Sequence, residues 1–180
     1  EAILESDFLE ACTNIAQSLQ PFYPLVRATS VLAGFAIMGL ALASLRRTGE
    51  YRHRAALPQL AAFLTGALLA SFTSVVDALT MSVFAESAPS DMASVSVGSV
   101  GGLEPMIRLA VTIVMLVGAY QVVKGLVLLK EAALGARTFW PATTHILGGV
   151  LCLNIKTFML TLGSTVGGTL ESTVRALLGS

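Results

Sequence analysis

The chain has 180 residues, of which 54% are hydrophobic and 12% charged, with a mean hydropathy of +0.78 and a net charge of zero. A soluble domain carries about a quarter of its residues as charges, so this composition excludes a water-solvated globule and points to lipid as the solvent. A buried bundle of a soluble protein would need a polar outer face, and the long apolar runs of this chain do not supply one.

Residues 2 to 20 place Leu4, Phe8, Ala11, Cys12, Ile15 and Leu19 at steps of three and four, with Glu5, Asp7, Glu10, Asn14 and Gln17 mostly off that stripe. The period predicts an amphipathic helix, lying on the outer leaflet or against a neighbouring subunit, and its acidity favours the subunit. Proline disfavours helix at the residue before it, so Gln20-Pro21-Phe22-Tyr23-Pro24 should separate this helix from the first apolar run. The predicted units are thus an N-terminal helix (1–20), a first helical hairpin (21–85), a flexible loop (86–103) and a second hairpin with a C-terminal extension (104–180).

Uncharged stretches run from Ala28 to Leu45, from Ala55 to Val76, from Leu109 to Val123 (on to Leu129 across Lys124) and from Thr138 to Ile155. Each approaches the roughly 20 residues that cross a hydrocarbon core of about 30 Å. They recur as a repeat. Pro24-Leu25-Val26-Arg27 opens a run that ends at Arg46 and Arg47, and Pro58 opens its partner; Pro105-Met106-Ile107-Arg108 opens a run that ends at Lys130, and Pro141 opens its partner. Pro24 to Pro105 is 81 residues and Pro58 to Pro141 is 83, so the landmarks keep order and spacing, the signature of an internal duplication.

The turn carrying Arg46, Arg47, Arg52 and Arg54, and the turn from Lys130 to Arg137, hold the clustered basic charge. Lys and Arg mark the cytoplasmic side, which puts both termini and the loop from Ala85 to Gly102 outside. The chain opens at Glu1, and a translocated N-terminus of this kind is expected to follow a cleaved signal peptide. Small residues suited to close helix approach occur at Gly39 and Ala43, along Ala62, Gly66, Ala70 and Ser74, at Gly148 and Gly149, and at Gly163 and Gly167. The segment Thr138–Leu170 is about 50 Å long if wholly helical and should bend or project near Lys156 to Gly168.

Charges within spans are functional candidates by default, but Arg27, Arg108, Asp77, Lys124 and Lys156 all sit towards span ends, where snorkelling to headgroups accounts for them. Guanidinium suits phosphate, which makes Arg27 and Arg108 the expected lipid ligands, with Lys156 beside them. His53 and His145 have no acidic residue at metal-ligand spacing, and neither G-x-S-x-G, C-x-x-C nor H-E-x-x-H occurs. No catalytic residue, metal or soluble small-molecule substrate is expected. Ser71 and Asn154, equivalent in the repeat, should make interhelical hydrogen bonds, while Cys12 and Cys152 should pack as small apolar residues.

The hairpin pattern, an apolar glycine-containing helix ending in a basic turn followed by a proline-led helix carrying Gly66 or His145-Ile146-Leu147-Gly148-Gly149-Val150-Leu151-Cys152-Leu153-Asn154, resembles the small membrane proteins of type IVB secretion and conjugative transfer systems, the IcmC/DotE, IcmD/DotP and TraQ-like group. More distantly it resembles conjugative pilins. The likeness spans residues 22 to 170. It implies an all-α, non-enzymatic, self-assembling subunit of a Gram-negative secretion or conjugation apparatus, with other components of that apparatus as partners and nucleic acid or protein as passing cargo. The inner membrane, and then a pilus, is the implied location, with structural phospholipid bound and the basic turn lining a lumen. Two alternatives stand beside the pilus: a component that stays in the inner membrane, and a small channel or transporter whose mid-membrane polar groups would be Ser71, Asn154 and His145.

Overall fold

The computed structural model describes residues 2–48, 56–85, 103–133 and 139–178. The described residues are all-helical, with no strand. In chain order the helices are α1 (Ala2–Leu19), α2 (Phe22–Thr48), α3 (Ala56–Ala70), α4 (Phe72–Phe84), α5 (Glu104–Ala133), α6 (Phe139–Leu153), α7 (Ile155–Val166) and α8 (Thr169–Leu178). Two helical stretches are long and apolar enough to cross a membrane, Ser6–Arg46 and Glu104–Ala132. The number rises to four if α3 with α4, and α6 with α7, each count as one span. These apolar helices associate the protein with membranes.

The N-terminal helix is separated from the next as expected, but without a change of direction. The regular helix ends at Leu19, with a turn at Gln20 and Pro21, yet Leu25 N–H reaches Pro21 C=O at 3.3 Å and Ser6–Arg46 runs on as one 41-residue stretch. The apolar stripe is divided: Phe8 and Ile15 are exposed, as a face turned to lipid or to another subunit would be, while Cys12 of the same stripe is buried with Ala16 and Tyr23. Small residues let α1 lie close against α5, and the bulky apolar ones point away.

Each long helix packs against the one after it, α2 on α3 and α5 on α6, and α3 also touches α5. Glycine sets both approaches. A Cβ on Gly34 would stand 2.6 Å from Gly66 C=O, and one on Gly66 would stand 2.8 Å from Gly34 C=O. In the second unit the values are 2.8 Å from Gly118 to Gly149 C=O and 2.7 Å from Gly149 to Gly118 C=O. Only hydrogen fits at such distances, so the backbones touch. The contact therefore repeats with shifts of 84 residues (Gly34 to Gly118) and 83 (Gly66 to Gly149).

The stretch Ala55–Val76, read from sequence as one continuous span, is broken. The axis turns by 80° between Pro58–Ala70 and Phe72–Phe84, and by 85° between Phe139–Leu153 and Ile155–Val166. Ser71 (φ −95°, ψ 24°) and Asn154 (φ −106°, ψ 35°) are the pivots, 83 residues apart and nearly identical in backbone. Both residue types offer side-chain alternatives to helical pairing. Each pivot keeps its own backbone bonded: Ser71 N–H donates to Ala67 C=O at 2.9 Å and its C=O accepts from Val75 N–H at 3.0 Å. Asn154 does the same with Val150 (3.1 Å) and Phe158 (2.9 Å). The bend turns Phe72, Val76 and Thr80, one turn apart, into the core, which centres on Met115, Ala119, Val122 and Leu126 of α5. At 1.5 Å per residue α3 is about 22 Å long, shorter than a hydrocarbon core of about 30 Å.

A second turn ends α7. Gly167 (φ 72°) and Gly168 (φ 70°) take left-handed conformations, and Gly167 N–H bonds Gly163 C=O at 2.9 Å. The pair Gly163/Gly167 thus splits its roles: Gly163 is buried, while Gly167 is a helix stop with nothing within 4 Å of its Cβ position.

Candidate functional site

The described residues hold no group of three or more His, Cys, Asp or Glu side chains able to bind a metal ion. The junction between the repeats is the most specific polar feature among the described residues. The buried Asn154 amide donates at 2.9 Å to the Thr80 hydroxyl oxygen of α4 and at 2.9 Å to Val150 C=O. This ties the bend of the second unit to the lateral helix of the first. Ser71, its equivalent, is exposed and makes no side-chain capping bond. The two pivots share a backbone shape but not a side-chain environment, and His145 is half-buried in α6.

The expected lipid ligands stand apart from one another. Arg27 is exposed on α2. The Arg108 guanidinium is 3.2 Å from the Glu104 carboxylate one turn earlier, both about 40% exposed, a pair worth little in water. Their equivalence in the repeat also shifts. They are 81 residues apart, whereas the helix contacts of α2 and α5 repeat at 84, so Arg108 lies about one turn further out than Arg27's counterpart position. Lys156 is half-buried two residues past the Asn154 pivot.

Of the expected basic cluster, Arg46 is exposed and Lys130 half-buried. Arg52, Arg54 and Arg137, the side chain of Arg47 and the loop 86–102 lie outside the described residues. Lys130 lines a groove of about 350 Å³ with Ile37, Leu40, Ser44, Gln59 and Ala62. The Gln59 carbonyl oxygen is buried there with no protein donor. Phe139 and Trp140 open α6 edge to face at 6.0 Å, with Trp140 76% exposed, as aromatic residues are at a membrane interface.

The packing residues are sorted by the fold. Ala62, Gly66 and Ala70 lie along the helix that faces α2, and Ser74 falls beyond the bend and is exposed. Gly149 is packed against α5, whereas Gly148 has nothing within 4 Å of its Cβ position. Gly39 is likewise open and exposed, because the partner of Gly66 is Gly34. Gly34, Gly118 and Gly125 make close contacts that the small-residue stripes do not mark; the spacing of 84 between the first two, matching the repeat, is the signal in the sequence that could have found them. Cys12 is buried and Cys152 half-buried, and both are free thiols.

Comparison with protein families, with curated proteins and with solved structures returns no match.

Proposed function

We propose that the chain is a structural, self-assembling membrane subunit that crosses the bilayer four times. The observation that carries this reading is where the apolar bulk sits. Leu25, Leu32, Phe35, Leu40 and Leu42 of α2, and Ile113, Val117 and Tyr120 of α5, are exposed, although the chain also has an interior of its own around Met115, Val122 and Leu126. Such a surface needs cover from lipid or from other protein. The direction of the long helices supports a returning span between them. One groove joins Val26–Ala33 to Tyr120 and Val123, and the other joins Ile37–Ser44 to Lys130, so α2 and α5 run parallel. In this reading the chain between them returns across the membrane through α3 and α4 as one broken span, and α6 with α7, bent at the matching place in the repeat, is the fourth.

On the resemblance to type IV secretion and conjugation proteins, the assembly is a part of such an apparatus, and a pilus is the favoured destination. Structural phospholipid belongs to the proposal. Arg27, Arg108 and Lys156 would hold phosphate at one end, and the Lys130 groove would take an acyl chain along its apolar wall. A second reading, a channel or transporter, draws on the paired helix breaks, since discontinuous helices at matching places in a repeat form transporter sites. Against it, the Asn154 amide is already engaged by Thr80 and Val150.

Two measurements test this. Cysteines placed at Thr48 and Ala133 should resist an impermeant thiol reagent on intact spheroplasts, and one at Ser96 should react; labelling at Thr48 overturns the orientation. Native mass spectrometry of gently extracted protein should show multimers, and shearing of cells should release them as filaments. Multimers that stay with the membrane after shearing would exclude the pilus, and monomers at every concentration would exclude the whole reading.

A further inference from the structure

From Phe8, steps of alternately three and four residues trace one line along the 41-residue helix to Arg46, and every position on it is exposed. That is a period of 3.5, the repeat that winds two helices around each other in a left-handed supercoil. We infer that this line is the seam by which a second copy of the chain docks, parallel to the first, an inference that rests on the self-assembly proposed above. The inward side of the same helix is taken: Ala16, Ser30, Gly34 and Ala41 are buried within the chain, and so is Cys12 at the edge of the seam.

Position along the membrane selects protein over lipid as the cover. Arg27 and Arg46 are 19 residues apart, about 28 Å of helix, which matches a hydrocarbon core of about 30 Å. The part of the seam from Phe8 to Ile15, 12 or more residues before Arg27, therefore lies outside the hydrocarbon. It nevertheless carries Phe8 and Ile15, each about half exposed, and Phe22 and Leu25 continue it towards Arg27. Phe8 sits between exposed Asp7 and Glu10, and acyl chains do not reach into a surface flanked by ionised carboxylates. Below Arg27 the seam continues through Leu32 and then narrows to Ala36, Gly39 and Ala43, where a second helix can come close. The open Cβ position at Gly39 has its use here.

The area is sufficient. Five large apolar side chains, each about half exposed, offer on the order of 100 Å² apiece. With the smaller seam residues the total approaches the roughly 800 Å² per partner of a stable interface. Charge opposes it little, because Glu10 and Arg27 fall off the line and Arg46 stands at its end, where water screens the guanidinium.

Full-length protein carrying Cys12→Ala and Cys152→Ala, reconstituted in vesicles, provides the test. Single cysteines at Ile15, Phe22 or Gly39 should form disulfide dimers on mild oxidation about ten-fold faster than one at Gln17, which is exposed but off the seam. Phe8→Glu with Ile15→Glu should reduce the multimer fraction by a similar factor without loss of helicity, since both side chains are exposed in the single chain. Equal rates at Gln17, or multimers unchanged by the paired glutamates, would overturn the seam while leaving self-assembly standing. Cross-links in cells to a different protein, with none between copies, would overturn the second copy as occupant. Wild-type protein that stays monomeric would overturn the proposed function itself.

Discussion

Leucine in place of Gly66 is expected to force α2 and α3 apart, whereas leucine in place of Gly39, on the same pair of helices, should leave the fold of the single chain intact. A Cβ at Gly66 meets the Gly34 carbonyl oxygen at 2.8 Å and the Met38 backbone nitrogen at 2.9 Å, while one at Gly39 meets nothing within 4 Å. Backbone atoms in a helix cannot rotate away as a side-chain tip can, so the whole helix has to move. The loss should be about 3 kcal/mol or more, the upper range for overpacking a tight contact. Gly149→Leu should do the same to α5 and α6, because the Gly118 carbonyl stands 2.7 Å from its Cβ position. The midpoint of unfolding in mixed detergent micelles reads the effect. Wild-type midpoints for Gly66→Leu and Gly149→Leu would mean that the helices do not meet at glycine.

The second large effect is expected at Asn154→Leu. The amide links the two units through its bond to Thr80, and both residues are buried. Leucine removes two hydrogen bonds and leaves the Thr80 hydroxyl without that donor, which costs about 1–3 kcal/mol. Thr80→Val in the same background should restore part of the loss, since the stranded hydroxyl disappears with it. A double-mutant cycle should give a coupling of roughly 0.6–1.7 kcal/mol, the range for interhelical hydrogen bonds in membranes. Ser71→Leu is the control and should cost less, because its side chain is exposed and makes no capping bond. A coupling of zero would show that the bend is held by Phe72 and Val76 alone.

Much of this architecture is legible in residue order. Composition announces lipid, the proline and arginine landmarks announce a duplication, and Ser71 and Asn154 stand out as matched polar residues. Their effect on the backbone is not legible. A serine or asparagine in an apolar run is compatible with a straight span, and only the burial of Phe72 and Val76 in the core, with Thr80 bonded to Asn154, goes with an 80° bend. The same limit explains the glycines. Spacing marks a residue as small, but which face of a helix meets its neighbour depends on rotation about its axis, so Gly39 drew attention that belonged to Gly34. Pro21 and Pro24 mark the boundary between α1 and α2 correctly, since a proline at the first turn of a helix has no interior hydrogen bond to remove, but they do not reveal that the axis carries on through it. The seam on α1 and α2 emerges from exposure, which sequence does not carry.

The parallel course of α2 and α5 bears on stoichiometry. Two units with the same glycine contact and the same bend, set side by side through α3 and α5, make the chain a tethered dimer of its own building block. The first association step is intramolecular, so it proceeds at an effective concentration fixed by the tether and needs no second chain to arrive by diffusion. Any assembly then grows two units at a time. A ring of copies viewed at coarse detail would show twice as many lobes as chains, and counting lobes would overestimate the number of polypeptides by a factor of two.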